Sequence, residues 1–338
     1  MVDAQICMGK EMILIIGGSG FIGTRLCKRL STTNPNFLII DKQISNTFPD
    51  NCTKLDIRNK EKLISVDCDA DVLVNLAAEH RDDVSPKSLY DEVNVQGARH
   101  VCEFADAKNV STIVFTSSVA VYGFAERGTD ETGTINPFND YGRTKYEAEQ
   151  VYKQWQAKDP GKRSLTIVRP AVVFGEQNRG NVYNLLKQIA SGRFVMVGNG
   201  KNRKSMAYVE NVAAFLQHSL TNAPGVHTYN YIDKPDFDMN TLVRRVKSAL
   251  GLKPIIRVRI PYFFGLLVGY GCDVVAKLTN RKLPVSVIRI QKFCKDTSYN
   301  SSLEMTEFTP PVQLVDAISK TVKYEFVDKV RGETFFTQ

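Results

Sequence analysis

Short runs of consecutive apolar residues recur through the first half of the chain, separated by stretches with helical periodicity. Residues 12–16 form the first run, which ends in glycines, and a helix is predicted over residues 21–30. Unbroken runs of this length are typical of strands buried on both faces of a parallel sheet. Further strands are predicted over residues 37–40, 72–76, 112–115 and 165–168. This alternation predicts repeated βαβ units with right-handed crossovers.

Beyond residue 170 the alternation fades, and the remaining segments are mostly helical in pattern, with scattered proline and glycine. We therefore expect an α/β fold, a Rossmann-type doubly wound parallel sheet with a smaller, mainly helical C-terminal substrate lobe. The predicted Rossmann domain covers residues 11–170, with later returns near 206–232. The predicted lobe covers residues 171–205 and 233–325.

Composition places the chain among ordinary globular proteins, since 43% of its 338 residues are hydrophobic and 24% are charged. The seven cysteines are odd in number and contain no Cys-x-x-Cys pair, and the four histidines do not cluster, so neither disulfides nor a metal site are predicted. Residues 1–10 lack the apolar run of a signal peptide, and no stretch reaches the roughly 20 apolar residues of a membrane span. A cytoplasmic protein is expected.

Positive charge is concentrated in one C-terminal region. Residues 241–300 contain twelve Lys or Arg against two Asp, a balance of +10, whereas the whole chain carries +8. The region is expected to face an anionic partner. Nucleic acid is not favoured as that partner, because the region lacks a recognition motif and its charges alternate with aliphatic residues.

A charge-free segment, residues 260–272, lies in the middle of this basic region. One interpretation is a helix in a membrane interface, with the neighbouring Lys and Arg drawn to anionic headgroups. The other is a core or dimer helix, because Phe263, Leu267, Tyr270 and Val274 recur at helical spacing. The segment itself is too short to span a membrane, and the sequence leaves the two interpretations open.

A glycine triplet follows the first predicted strand. Gly17, Gly20 and Gly23, with Phe21 and Ile22 between them, open the predicted helix. Such glycines let the backbone approach a pyrophosphate, which the helix N-terminus stabilises. Asp41, at the end of the second strand, is placed to accept hydrogen bonds from both hydroxyls of an adenosine ribose and to repel a 2′-phosphate. This favours NAD, although the adjacent Lys42 is compatible with NADP.

A tyrosine and a lysine four residues apart mark a candidate catalytic helix. Tyr141 and Lys145 share one helix face at this spacing. An ammonium there, together with a cationic nicotinamide, would lower the phenol pKa from about 10 toward working pH and make the tyrosine a general base. Ser118 follows a predicted strand, where α/β folds bind ligands, and is expected to hydrogen-bond the same substrate hydroxyl.

The glycine triplet, Asp41, Ser118, Tyr141 and Lys145 resemble, in their order along the chain, the motifs of the extended short-chain dehydrogenase/reductases, and Arg169-Pro170 completes the set. The resemblance runs from about residue 12 to the C-terminus. The resemblance implies that Asp56 and Ile57 flank the adenine, that residues 76–78 line the diphosphate and ribose, and that Asn94 supports the helix beneath the site. The NAD-binding residues it implies are Gly17, Gly20, Phe21, Ile22, Gly23, Asp41, Asp56, Ile57, Leu76, Ala77, Ala78, Asn94, Tyr141, Lys145 and Pro170. Purely structural roles for Asp56, Ala77 and Asn94 remain open.

Residues 117–123 separate the reactions that the family hosts. Its 4,6-dehydratases place Asp and Glu at the positions of Val119 and Ala120, because eliminating water needs a further acid and base. Its decarboxylases favour Glu at the second position. The apolar pair therefore favours oxidation or epimerisation. For epimerisation at C4, Tyr141 would be the base of a reaction through a transient 4-keto sugar, with NAD retained.

The resemblance also extends to the carrier of the sugar. Residues 77–86, 178–190 and 204–209 resemble family members that convert GlcNAc to GalNAc on undecaprenyl diphosphate for O-antigen or related surface polysaccharides. Lys204 replaces the family's phosphate-binding Arg and cannot make a bidentate contact. The candidate substrate-binding residues are His80, Ser118, Asn178, Arg179, Asn181, Arg203 and Lys204.

Several alternatives remain open at this point. They are a soluble UDP-GlcNAc or UDP-glucose 4-epimerase, an NAD-dependent alcohol or sterol-type dehydrogenase, and a catalytically silent NAD-binding protein. The basic residues of the substrate set also suit a solvated surface. The resemblance implies a homodimer formed through the helices after Tyr90 and Tyr141, and the basic region is compatible with peripheral contact on the inner face of a bacterial cell membrane.

Overall fold

A computed structural model describes residues 11–81, 84–279 and 286–336. Some residues that the sequence analysis counted or included in its segments lie outside these described ranges. They are residues 1–10 with Cys7, Asp82 and Asp83 of the 77–86 string, and Arg281 and Lys282 of the basic region.

The strands and helices alternate along the described chain. The strands are β1 Ile13–Ile16, β2 Phe37–Asp41, β3 Cys52–Lys54, β4 Val72–Asn75, β5 Thr112–Thr116, β6 Ser164–Pro170, β7 Val172–Phe174, β8 Met196–Val197, β9 Arg203–Tyr208, β10 Gly225–Tyr231, β11 Asp233–Asp238 and β12 Arg259–Ile260. The helices are α1 Phe21–Thr33, α2 Lys60–Ile64, α3 Ser88–Tyr90, α4 Gly97–Ala107, α5 Asp140–Gln156, α6 Asn181–Ala190, α7 Val209–His218, α8 Met239–Ala249, α9 Tyr262–Thr279, α10 Val287–Cys294 and α11 Leu314–Val322.

A seven-stranded parallel sheet in the order β10-β6-β5-β4-β1-β2-β3 forms the centre of the molecule. The predicted doubly wound sheet is therefore confirmed. Its central strands β1 and β4 are buried along their whole length, as their unbroken apolar runs predict. One face packs against α4 and α5, and the other against α1 and α7.

A second group of elements follows the sheet. Strands β7, β9 and β11 form a small mixed sheet, and β8 pairs with β12. The apolar faces of α6, α8 and α11 surround a separate core with residues of this small sheet. That core also contains Phe21 from the start of α1. It therefore meets the core of the central sheet beside the glycine triplet.

The apolar segment of the basic region forms α9, which is longer than the charge-free run and is not a core helix of the chain. Among the described residues it is the one helix long and apolar enough to cross a bilayer, with a mean hydropathy of 1.2, and 11% of it is buried. The charge-free run itself is shorter than a membrane span, while the helix that contains most of it continues through Asp273 and Lys277. The interpretation of this segment as a core helix is wrong, because the side chains of Phe263, Leu267 and Val274 are exposed, whereas the interpretations as a dimer helix and as an interfacial helix stay open.

Candidate active site

A cleft of about 1190 Å³ opens at the carboxyl ends of the parallel strands. This is where doubly wound folds bind ligands, because loops from several strands converge there. The sequence-predicted residues that line it are Gly17, Gly20, Phe21, Ile22, Gly23, Asp41, Asp56, Ile57, Leu76, Ala77, Ala78, His80, Ser118, Tyr141, Lys145, Pro170, Asn178 and Asn181. Within the described ranges, no three His, Cys, Asp or Glu side chains are grouped so that they could hold a metal ion.

The glycine loop brings bare backbone to the floor of this cleft. Gly17 has a φ of +80°, and a Cβ there would lie 2.6 Å from the amide nitrogen of Ala77. A Cβ on Gly23 would lie 2.6 Å from the carbonyl oxygen of Gly17, so the loop and α1 pack without space for a side chain. Helix α1 begins immediately after Gly20 and has no acidic residue in its first turn. Its N-terminus is therefore suited to a pyrophosphate.

Asp41 lies at the rim of the cleft, at the end of β2. Its carboxylate accepts hydrogen bonds from the amides of Ser19 and Gln43, both at 3.1 Å. Burial raises the pKa of Asp41, while these two amides and the nearby Lys42 oppose the rise. The carboxylate thus ties the glycine loop to the strand end and still faces the cleft.

Arg58 is a cleft residue that the sequence did not single out. It also lines the cleft, and its guanidinium contacts the Asp56 carboxylate, with Nη2 at 2.8 Å. This pairing lowers the pKa of Asp56, so that carboxylate already has a partner. The sequence contains one indication of its role, because Arg58 is a basic residue two positions after Asp56, the acid predicted to flank the adenine.

Ser118, Tyr141 and Lys145 meet at one wall of the cleft. Ser118 caps a short 3₁₀ turn, Val119–Tyr122, by accepting the Ala120 amide at 3.1 Å, and it is hydrogen-bonded to Tyr141. Tyr141 lies in the first turn of α5, and Lys145 follows one turn later with its Nζ 4.3 Å from the centre of the Phe115 ring.

Two local contacts fix the beginning of α5. The Asn139 side chain caps the helix by accepting the Gly142 amide at 2.9 Å. Gly142 lies so close to the Ala120 carbonyl that a Cβ there would clash with it. The hydroxyls of Ser118 and Tyr141 are therefore held together by direct backbone packing of the two turns.

Burial dominates the protonation of these groups. It raises the pKa of Tyr141, and the hydrogen bond with Ser118 opposes the rise. It also lowers the pKa of Lys145 to about 7, against the attraction of the Glu149 carboxylate. With a pKa of about 7, Lys145 is about half protonated at neutral pH, so the predicted lowering of the phenol pKa depends on the bound cofactor as well as on Lys145.

A buried ion pair supports this wall from behind. The Glu149 carboxylate accepts hydrogen bonds from two nitrogens of Arg169, Nη2 at 2.6 Å and Nε at 2.9 Å. It also accepts one from the hydroxyl of Ser117 at 2.5 Å. Arg169 also donates to the hydroxyl of Tyr122 at 2.6 Å. The network joins α5, β6 and the turn after β5, and so fixes the residues on either side of Ser118.

Asn94 forms a second support, in a π-helical turn between α3 and α4. Its side chain pairs with the backbone of Glu79, accepting the amide at 2.8 Å and donating to the carbonyl at 3.0 Å. It also donates to the Thr144 hydroxyl at 2.9 Å. Asn94 thus joins the loop after β4 to α5, beneath the site. The same loop places the exposed ring of His80 in the cleft.

The predicted basic substrate residues have other partners. Arg179 contacts Glu325 at 3.0 Å and stacks over the Tyr183 ring. Lys204 donates to the carbonyls of Lys292 and Lys295 at 2.9 and 2.7 Å, and burial lowers its pKa to about 8. The structure therefore does not bring Lys204 to the large cleft. Its ammonium satisfies carbonyls at the C-terminal end of α10.

Arg203 is exposed on β9 and does not line the large cleft either. Instead, a second cavity of about 590 Å³ opens beside the start of α9. Lys295 is the cation in its wall, with Nζ over the Phe124 ring. Its lining residues are Phe124, Val197, Gly198, Asn199, Asn202, Tyr262, Gln291, Cys294 and Lys295.

The C-terminal segment also borders the large cleft, and sequence periodicity did not indicate it. Residues 332–336 line the cleft. Phe335 pairs through its backbone with residues 177 and 179 and packs its ring 5.8 Å from that of Phe21. Glu333 accepts a hydrogen bond from Asn46 at 2.7 Å. The segment therefore runs along the cleft from residues 177–179 to the side of the glycine loop.

Comparisons with known proteins show what the whole chain is similar to. The family model described as "NAD dependent epimerase/dehydratase family" matches residues 13–231. The N-acetyl-alpha-D-glucosaminyl-diphospho-ditrans,octacis-undecaprenol 4-epimerase of Escherichia coli O157:H7 is 47% identical over 96% of this chain and 98% of its own. A sterol-4-alpha-carboxylate 3-dehydrogenase of Candida albicans is 26% identical over 93% of this chain and 97% of its own. The Bordetella bronchiseptica enzyme WbmG, solved with NAD and UDP, superposes with a TM-score of 0.74 at 17% identity, covering 98% of this chain and 99% of its own.

Proposed function

The chain belongs to the NAD dependent epimerase/dehydratase family, and from that premise we propose that it inverts C4 of an N-acetylhexosamine carried on undecaprenyl diphosphate. The reaction converts the GlcNAc lipid into its GalNAc epimer for O-antigen or related surface polysaccharide assembly. The observation that carries the proposal is the 47% identity to an epimerase of that name over nearly the full length of both chains.

The cleft fits NAD. The glycine loop leaves backbone where a Cβ would clash, and the N-terminus of α1 is free of acidic residues, as a pyrophosphate requires. Asp41 would hold the adenosine ribose, and residues 76–78 would border the diphosphate. Bound NAD supplies a positively charged acceptor for one hydride, which it can return to the same carbon.

The protein's own groups manage the proton. Tyr141 would take the proton of the 4-hydroxyl as the C4 hydride leaves, giving a 4-keto sugar, and would return it once the hydride has come back on the opposite face. Ser118 would hold the same oxygen through its hydroxyl. Because burial raises the pKa of Tyr141, the deprotonated phenol depends on positive charge from the bound cofactor as well as from Lys145.

Epimerisation is favoured over the family's other reactions by the turn beside Ser118. Val119 and Ala120 occupy the 3₁₀ turn where a dehydratase would need a further acid and base. The sterol-type dehydrogenase is the weaker alternative, because the identity of 26% to such an enzyme is far below 47%. Net accumulation of NADH would identify such a dehydrogenase.

The carrier is tested by offering the purified protein GlcNAc-diphospho-undecaprenol and UDP-GlcNAc in parallel. We expect turnover of the lipid with no net NADH. Efficient turnover of UDP-GlcNAc with none of the lipid would overturn the choice of carrier while leaving the epimerase intact.

The general base is tested with Tyr141→Phe. This variant should lose turnover of either carrier and keep its bound NAD, measured by mass analysis of the small molecules released on denaturation. Near-normal turnover would remove Tyr141 from the proposed role. Tyr146→Phe, on the same helix and also partly exposed, is the matched control and should remain active.

Two finer assignments belong to the same proposal. We expect a homodimer formed through the helical segments after Tyr90 and Tyr141, and a peripheral position on the inner face of the cell membrane. Sedimentation of the purified protein tests the first, and cell fractionation tests the second.

A further inference from the structure

The large side chains of α9 point away from the protein. Phe263, Leu267, Tyr270, Val274 and Leu278 form one stripe at helical spacing, and each is between 50% and 81% exposed. A helix of a soluble protein normally turns such a stripe toward the core.

The face of α9 that does pack consists of small residues. Gly265 and Gly269 are buried: a Cβ on Gly265 would lie 2.5 Å from the Val197 side chain of β8, and a Cβ on Gly269 would come within 3.0 Å of Ile290 and of the Val287 backbone in α10. The orientation is therefore the reverse of a soluble amphipathic helix: glycines face the protein and aromatic and aliphatic groups face outward. The contact with α10 fixes this orientation.

Exposed apolar side chains are concentrated around this helix. Thirteen of the 23 large hydrophobic side chains exposed in the described chain lie within residues 252–288. Those outside α9 include Ile255, Val258 and Ile288. Concentration on this scale marks an interaction surface, because isolated exposed apolar residues are otherwise scattered.

The same segment is cationic. Its exposed basic side chains are Lys253, Arg257, Arg259, Lys277 and Arg289. The acids in the described part of residues 241–300 are Asp273 and Asp296, and Asp273 accepts the Val287 amide at 3.1 Å. The outward surface thus combines aromatic and aliphatic groups with an excess of positive charge.

We propose that α9 and the segment before it are a membrane-docking surface that binds a bilayer with anionic headgroups. Apolar side chains would enter the interface, and the flanking cations would contact the headgroups. This proposal rests on the proposed function, in which the protein takes its lipid-linked substrate from such a bilayer. Binding of the surface to the bilayer does not itself require catalysis. The cavity bordered by Tyr262 at the start of α9 would then open close to the lipid surface.

Two other occupants are disfavoured. A second copy would bring an equally cationic surface against this one, and like charges oppose such pairing. As a membrane span, the 18 residues of α9 would be about 27 Å long, which is shorter than a hydrocarbon core of about 30 Å. Insertion would also bring Asp273 and the packed helix α10 into the hydrocarbon core. An orientation in the plane of the interface meets neither obstacle.

The apolar part of the surface is tested by flotation of the full-length protein with NAD on vesicles of phosphatidylcholine and phosphatidylglycerol. The variant Phe263→Ser with Leu267→Ser should lower the bound-to-free ratio at least tenfold. Met305→Ser, which removes an 89% exposed side chain elsewhere, should bind like wild type.

The charged part is tested on the same vesicles. Lys253→Gln with Arg257→Gln should lower binding by about fivefold per cation, and this loss should vanish on vesicles of phosphatidylcholine alone. Lys28→Gln with Lys162→Gln removes two exposed cations elsewhere and serves as the control.

Three results would overturn the proposal. The first is a wild-type protein that does not bind the anionic vesicles, and the second is α9 variants that bind them as well as wild type does. The third is a wild-type protein that is a dimer without affinity for vesicles, together with α9 variants that are monomeric. Tyr141→Phe separates docking from catalysis, because it should bind vesicles normally while inactive. Vesicle binding together with turnover of UDP-GlcNAc alone would remove the lipid substrate and leave the docking surface standing.

Discussion

Replacing Glu149 with Gln should destabilise the fold strongly, because it leaves a buried guanidinium without its counter-ion. The side chains of Glu149 and Arg169 are 0% and 4% exposed, and the carboxylate accepts both Nε and Nη2. In Glu149→Gln the amide nitrogen would face a guanidinium donor, and one oxygen would remain to accept. Removing one partner of such a pair costs about 3–5 kcal/mol, a large part of the roughly 5–15 kcal/mol that stabilises a typical domain.

The assay is urea unfolding at fixed saturating NAD, since bound cofactor itself shifts the transition. Glu147→Gln is the matched control on the same helix. Its side chain is 41% exposed and pairs with Arg143, which also contacts Asp91, so a loss of about 1 kcal/mol or less is expected.

A second variant keeps the reasoning testable if Glu149→Gln folds poorly. Adding Arg169→Met removes the stranded charge and should recover at least about 1 kcal/mol relative to Glu149→Gln alone. A loss for Glu149→Gln within about 1 kcal/mol of that for Glu147→Gln would refute the argument, since it would mean that the pair is well solvated.

Three further changes probe the cleft. Lys145→Met should alter the pH dependence of the free energy of unfolding. In wild type the folded pKa of about 7 lies below the ordinary 10.5, so between these two pH values wild type should gain about 1.4 kcal/mol of stability per pH unit over the variant. Parallel curves for the two proteins would contradict this. Gly23→Ala should lower bound NAD sharply, measured by mass analysis, because its Cβ would lie 2.6 Å from a carbonyl of the same loop. Phe335→Ala should release NAD about 2- to 10-fold faster through loss of the Phe21 contact, measured by exchange with labelled NAD. Val330→Ala, in the same C-terminal segment but 48% exposed and outside the cleft lining, is the control and should not change the rate.

The central sheet was predictable because its strands are buried on both faces, so they read as unbroken apolar runs. Strands β1, β4 and β5 agree with the predicted runs to within a residue or two. Strand β3 was not predicted, because Cys52–Lys54 is a three-residue edge strand with little burial and therefore carries no apolar pattern.

The catalytic wall was predictable from spacing, while its supports were not. Helical spacing places Tyr141 and Lys145 on one face, and a strand end places Ser118 opposite them. The partners of Arg169 and Lys204 lie 20 residues or more away along the chain, and no local pattern indicates them. Lys204 shows the consequence: the sequence indicated a phosphate ligand from its position, but α10 supplies carbonyls that occupy its ammonium.

Helix α9 shows what hydrophobic periodicity leaves undetermined. The pattern through Phe263, Leu267 and Val274 predicts one apolar face, and it is the same whether that face meets a core, another chain or a lipid surface. The glycines decide the direction, because the face with Gly265 and Gly269 lets β8 and α10 approach closely. Once that face is occupied, the large side chains must point outward. The outward stripe, together with the cations that flank it, therefore suits the bilayer surface proposed above.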